Sequence, residues 1–155
     1  RGVGRRMPWT VVGLAVVFNA GNGYLQGRWL FTLSDPYPAW WFADARFIVG
    51  AALFLAGFGI NLHADEVLRR LRGPGESGYR IPRGGLYRLV SCPNYLGEIL
   101  EWTGGAVLTW SLPGVVFALW TAANLVPRAL SHHRWYRETF PDYPSSRRAV
   151  IPYLL

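Results

Sequence analysis

The sequence predicts an all-α integral membrane protein, a bundle of about four transmembrane helices with ligand-binding loops gathered in a polar layer on one side. Composition is the first reason. Of 155 residues 51% are apolar and 15% aromatic, while only 16% are charged, against roughly a quarter in soluble domains. Charge-free apolar runs of spanning length are the second, since about twenty residues rising 1.5 Å each cover the hydrocarbon core. The third is charge placement: all the basic residues are Arg, and in a four-span topology only Arg28 and Arg46 fall on the far side. The Arg-rich side is then expected to be cytoplasmic.

The length fits one membrane domain, residues 1–155. The net charge of +7 sits in blocks that flank apolar runs, so no nucleic-acid partner is expected. The single cysteine, Cys92, excludes an internal disulfide framework and a Cys cluster for metal, and reads as a small buried thiol. The chain starts at Arg1 with no signal-peptide pattern and is expected to be the C-terminal part of a longer protein.

The first span lies between Arg6 and Arg28. Its second half carries Asn19, Asn22 and Gln26 with Gly21 and Gly23, which either face a wet interior or glue helices together. An aromatic, Pro-rich loop follows, with Trp29, Tyr37, Trp40 and Trp41 suited to the membrane interface. A second span starts after Arg46 and runs without a breaker into HADEVLRRLR, until Gly73, Pro74 and Gly75 stop it. Pro82 and Gly84–Gly85 keep the next segment out of a long helix. SCPNYLGEILEW reads as a fresh helix start, with Ser91 or Cys92 near the cap and Pro93 in the first turn. The charge-free run from Trp102 to Pro127 is broken at Ser111–Gly114, which predicts two spans, roughly Asn94 to Leu112 and Pro113 to Leu130, joined by a tight turn.

Three polar faces meet in the layer between these spans. Asn61, Asp65, Arg69 and Arg72 share one helix face by their spacing of four, four and three. A solvated, ion-paired helix end would look the same. Asn94, Glu98 and Glu101 share a second, entering a span. A carboxylate there costs on the order of 3 kcal/mol and is usually functional or paired, so Glu98 reads as functional and Glu101 as a structural partner. Arg128, His132 and Tyr136 repeat every four residues on the last helix and suit phosphate and ribose. His132 and His133 point apart, which speaks against a metal site. The layout suits a dinucleotide reaching a lipid-soluble substrate, although no GxGxxG or P-loop is present.

The run GINLHADEVLRRLRGPGESGYRIPRGGLYRLVSCPNYLGEILEW, the following TWSLP and the tail HHRWYRETFPDYPSSRRAVIPYLL resemble the steroid 5α-reductase (3-oxo-5α-steroid 4-dehydrogenase) family, from about Asn22 to Leu155. The resemblance implies about seven membrane helices in a whole member, with NADPH-dependent reduction of the Δ4 double bond of a 3-oxo steroid. It implies NADPH contacts at Asn61, Asp65, Arg72, Tyr79, Asn94, Glu98, Arg128, His132 and Tyr136. Tyr79 comes from the resemblance alone, and Arg69 loses weight beside it. The catalytic Glu and Tyr on the substrate carbonyl are expected upstream of Arg1, and neither Tyr24 nor Glu101 is given their role. The expected partners are a lipid-soluble steroid and membrane lipids, with no metal, in a monomer of the bacterial inner membrane or endoplasmic reticulum. A membrane methyltransferase using S-adenosylmethionine on an isoprenylated cysteine, or a non-enzymatic scaffold, would share parts of this layout.

Overall fold

The computed structural model describes residues 8–71 and 78–155, and within them the chain is all-helical. Four long helices follow in order: α1 (Trp9–Arg28), α2 (Ala45–Arg70), α3 (Pro93–Thr109) and α4 (Leu112–Thr139). The aromatic loop after α1 is more regular than expected, with a π-helical turn over Trp29–Leu33 and a 3-10 turn over Ala39–Ala43.

The core of the bundle is an antiparallel hairpin of α2 and α3, and glycine makes it possible. A Cβ on Gly50 would lie 2.3 Å from the Leu108 backbone nitrogen, and one on Gly104 would lie 2.3 Å from that of Phe54. Gly57 and Gly97 repeat the arrangement one heptad along, with hypothetical Cβ atoms 2.4 Å from the Glu101 nitrogen and 2.6 Å from that of Asn61. Backbones this close gain dispersion contacts and weak hydrogen bonds that larger residues forbid. Ala64, buried at 1% exposure, continues the seven-residue series of Gly50 and Gly57 toward the polar layer.

Two of the four expected spans, α2 and α4, are long and apolar enough to cross a membrane by themselves. Only 17% of the most apolar window of α2 and 22% of that of α4 is buried within the chain. Ile48, Leu55, Phe58, Val116, Leu119 and Trp120 therefore point outward, as lipid contact requires and a soluble core does not. Helix α3, with 17 residues, rises about 26 Å and is short for a spanning helix, while α1 is diluted by its glycines and amides. In α1 one of the two readings of these residues, helix-to-helix glue, finds no partner at Gly21 and Gly23 among the described residues, where a Cβ meets nothing within 4 Å. Asn19 bonds its own helix at the Ala15 carbonyl, 2.8 Å away.

At the end away from the polar layer, Asp44 caps α2 through the Arg46 amide at 2.8 Å and pairs with the Arg46 guanidinium at 2.9 Å. Those bonds hold the Asp44 carboxyl down at about 2. The Arg46 guanidinium also lies 4.5 Å over the Trp41 ring, and Trp41 and Tyr37 donate to the last carbonyls of α3, Leu108 at 3.2 Å and Thr109 at 2.5 Å. The α3–α4 turn runs through Trp110 in the left-handed conformation (φ 45°) and Ser111, whose Oγ accepts from the Gly114 amide at 3.1 Å. Helix α4 continues beyond the expected span end at Leu130, through Pro127 to Thr139, and so carries Arg128, His132 and Tyr136 as expected.

The glycine seam predicts a sharp contrast along one helix. Gly57→Val, which drives a side chain into α3 backbone, is expected to destabilise the protein by at least the 1–3 kcal/mol of an overpacked core. Gly59→Ala, which meets open space, should leave stability level or slightly raised. Thermal unfolding of both variants in detergent measures the difference.

Candidate cofactor site

The polar layer holds a cavity of about 670 Å³ between the ends of α2, α3 and α4. Helix periodicity delivers Arg128, His132 and Tyr136 to one wall, as their spacing of four predicts, and Asn94 to another from the first turn of α3. The loop contributes Tyr79, whose ring meets Trp135 edge-on at 4.9 Å. Tyr95 stands against the His132 ring at 6.0 Å. Asn61, Asp65 and Glu98 adjoin the cavity without lining it. The Asn61 amide donates to the Asn94 carbonyl at 3.2 Å, tying α2 to α3 at the rim. Glu98, one turn after Asn94 on α3, is half-buried. Arg72 lies outside the described residues.

Arg69 behaves as the solvated alternative foresaw: with Arg70 it pairs with Glu66 on the outer face of α2. Glu101 forms no ion pair among the described residues, so its reading as the structural partner of an Arg is not met. Among those residues no group of three or more His, Cys, Asp or Glu side chains is arranged to hold a metal ion.

Several wall residues escaped sequence reasoning. Tyr87, Tyr95 and Trp135 line the cavity, yet an aromatic in a Trp- and Tyr-rich membrane chain carries no signal of its own. Ser91 is the other omission. Cys92 occupies the N-cap of α3 without a side-chain cap bond, while the hydroxyl of Ser91 before it, at 4% exposure, is engaged elsewhere. Its Oγ lies 2.6 Å from His133 Nδ1, 2.6 Å from the Tyr143 hydroxyl and 3.1 Å from the Arg148 carbonyl. His133 therefore turns away from its cavity-lining neighbour His132, as adjacent helical residues must.

The tail after α4 returns over this end. Ser91 and Cys92 amides donate to the Arg148 and Ala149 carbonyls at 2.8 and 3.1 Å, and the Arg148 amide returns a bond to Leu89. Tyr143 stacks on Tyr136 at 5.3 Å, and the buried Arg147 guanidinium lies 5.1 Å from the Tyr143 ring centre. Cys92, Ala129, Ala149 and Val150 make the small apolar core beneath.

The fold is an all-helical membrane bundle with a cavity at one end walled by aromatic residues, Arg128, His132 and Asn94. The family model for 3-oxo-5-alpha-steroid 4-dehydrogenase matches residues 5–155, and the chain belongs to that family. It is 49% identical over 151 residues to 3-oxo-5-alpha-steroid 4-dehydrogenase 2 of Homo sapiens, covering 97% of this chain and 59% of the relative. The type 1 protein of Bos taurus is 49% identical over 152 residues, with 98% and 59% covered. Steroid 5-alpha-reductase DET2 of Gossypium hirsutum is 50% identical over 155 residues, with 97% and 58% covered. The chain thus spans somewhat less than three fifths of the length of these relatives.

Burial pushes the Cys92 thiol up to about 12 from its ordinary 9, outweighing any lowering by the helix N-terminus. The folded protein keeps the thiol neutral where an unfolded chain ionises it. Stability from this group is therefore complete below pH 9 and lost progressively as pH rises toward 12. Cys92 is expected to resist maleimide at pH 8 in the folded protein and to react on denaturation, which mass spectrometry of the adduct reads directly.

Proposed function

We propose that the complete protein is a membrane reductase that uses NADPH to saturate the Δ4 double bond of a 3-oxo steroid, yielding the 5α product. The convergence of Tyr79, Asn94, Arg128, His132 and Tyr136 on one cavity, in a chain of this family, carries the reading. The cavity suits such a cofactor in size and chemistry. Its volume of about 670 Å³ is in the range of small-molecule sites. Arg128 offers a planar fork for phosphate, and Tyr79 and Trp135 offer faces for a purine or nicotinamide ring.

When bound, NADPH supplies the hydride that goes to the β-carbon of the enone. The chain's own residues bind and orient. Arg128 takes phosphate, His132 and Tyr136 hydrogen-bond along the same helix face, and Asn94, steadied by Asn61, offers its amide from the start of α3. Asp65, Glu98 and Arg72 complete the proposed contacts. A second chamber of about 530 Å³ between α1 and α4, walled by Phe18, Phe117 and Trp120, is almost wholly apolar and suits a lipid-soluble substrate. From Trp120 to Pro127 the helix rises about 10 Å, so one helix serves both chambers. The Glu and Tyr that stabilise the developing enolate oxygen are proposed to lie outside these residues. The chain is read as a single membrane domain of a monomer, with its Arg-rich end in the cytoplasm.

In the full-length enzyme, Arg128→Ala is expected to raise the NADPH KM by about ten- to a hundredfold, the worth of a hydrogen bond to a charged group. Glu98→Gln should raise it or abolish turnover, with membrane insertion intact in both. Unchanged kinetics would remove either residue from the site. The guanidiniums of the layer also predict a preference for NADPH over NADH through the 2′-phosphate; equal kcat/KM for the two would sink it.

A further inference from the structure

We propose that Ser91 is a positioning residue of the cavity: its buried hydroxyl fastens the start of α3, the last turns of α4 and the returning tail in the one arrangement that binds the dinucleotide. The inference rests on the reading of the cavity as an NADPH site.

A serine hydroxyl has one proton to give and two lone pairs to receive. The Arg148 carbonyl can only accept, so Ser91 donates to it across 3.1 Å. With the serine proton given to that carbonyl, the Tyr143 hydroxyl and the Nδ1–H tautomer of His133, each 2.6 Å away, can both donate to Oγ and saturate it. Each bonded group is tied to a cavity wall. Ser91 itself lines the cavity three residues before Asn94. His133 is the neighbour of His132, so holding its imidazole sets the rotation of α4 about its axis. Tyr143 stacks almost parallel on Tyr136, with 13° between the rings, so holding the phenol holds that wall residue from behind. Arg148 belongs to the strand-like stretch bridged to Val90. One hydroxyl thus sets the distance between the Asn94 wall and the Arg128–His132–Tyr136 wall without needing to touch the ligand.

Ser91→Ala takes the Oγ partner from the buried Tyr143 hydroxyl and the half-buried His133 Nδ1 at once. Tyr143→Phe removes a single donor while keeping the ring stacked on Tyr136, and serves even if the alanine variant fails to fold. In the full-length protein, NADPH affinity by fluorescence titration and steady-state kinetics are measured for the unsubstituted protein, both variants, their combination and Ser91→Thr. The expected result is a KM for NADPH raised about tenfold in Tyr143→Phe and at least as much in Ser91→Ala. The double variant should be no worse than Ser91→Ala, kcat at saturation should stay within about twofold, and Ser91→Thr, which restores the hydroxyl, should recover affinity. A lowered melting temperature with unchanged KM, or strictly additive losses, overturns the proposal and leaves the cofactor site standing. Failure of the unsubstituted protein to bind NADPH overturns the cofactor reading and this one with it.

Discussion

The fold depends on one constraint: two helix backbones pressed together where four glycines interlock. Gly50 faces Gly104 and Gly57 faces Gly97 across the α2–α3 seam, with no room for a methyl group at any of them. Lipid gives helices no hydrophobic reason to associate, so close van der Waals approach is the attraction that remains. The seam also fixes register. A slip of one residue would rotate each glycine by about 100° and bring larger neighbours, such as Val49, Phe58, Leu96 or Thr103, toward the seam. Because the seam runs up to Asn61 and Asn94, the rim of the cavity inherits its register from the membrane-embedded half of the hairpin.

The other half of the site is held by different physics. Helix α4 packs on α3 and is fastened at its far end by hydrogen bonds and aromatic stacking, through Ser91, His133, Tyr143 and the tail peptides. Small apolar residues, among them Ala129 and Val150, fill what lies beneath. A water-facing end can carry polar groups in this way because water solvates those left unpaired, whereas the lipid-facing stretch of the α2–α3 seam relies on steric fit. The cavity sits where the two modes meet.

Much of this was legible in the residues. Charge-free runs and the Pro and Gly breakers yielded the four helices, and the spacing of four carried Arg128, His132 and Tyr136 to one wall, because a helix offers no freedom in where residues four apart point. The glycine seam was legible too but went unread: Gly50–Gly57 and Gly97–Gly104 both repeat at seven, the signature of paired helices, whereas the glycines singled out in α1 meet nothing. The role of Ser91 was not legible, since its partners are contributed by α4 and by a tail some fifty residues away. Glu101 looked like half of an ion pair because a carboxylate inside a span usually is, yet its backbone, not its charge, meets Gly57. The extension of α4 past the span end at Leu130 was implicit in placing His132 and Tyr136 on the last helix, for a helix can leave the bilayer without ending.

That extension has a geometric consequence. At 28 residues, α4 is about 42 Å long, a single rod carrying the apolar chamber near Pro113 and the polar cavity near Tyr136. The separation between the two chambers is therefore quantised by the rise and turn of the backbone. No side-chain exchange can alter it, and inserting one residue would both lengthen it by 1.5 Å and swing one chamber about 100° around the axis relative to the other. Evolution of such a protein can repaint either chamber freely, but the ruler between them can change only where the helix itself gives way. Pro127, which denies the Ala123 carbonyl its helical partner at the cavity's edge, is the one interior position of the rod where that freedom exists.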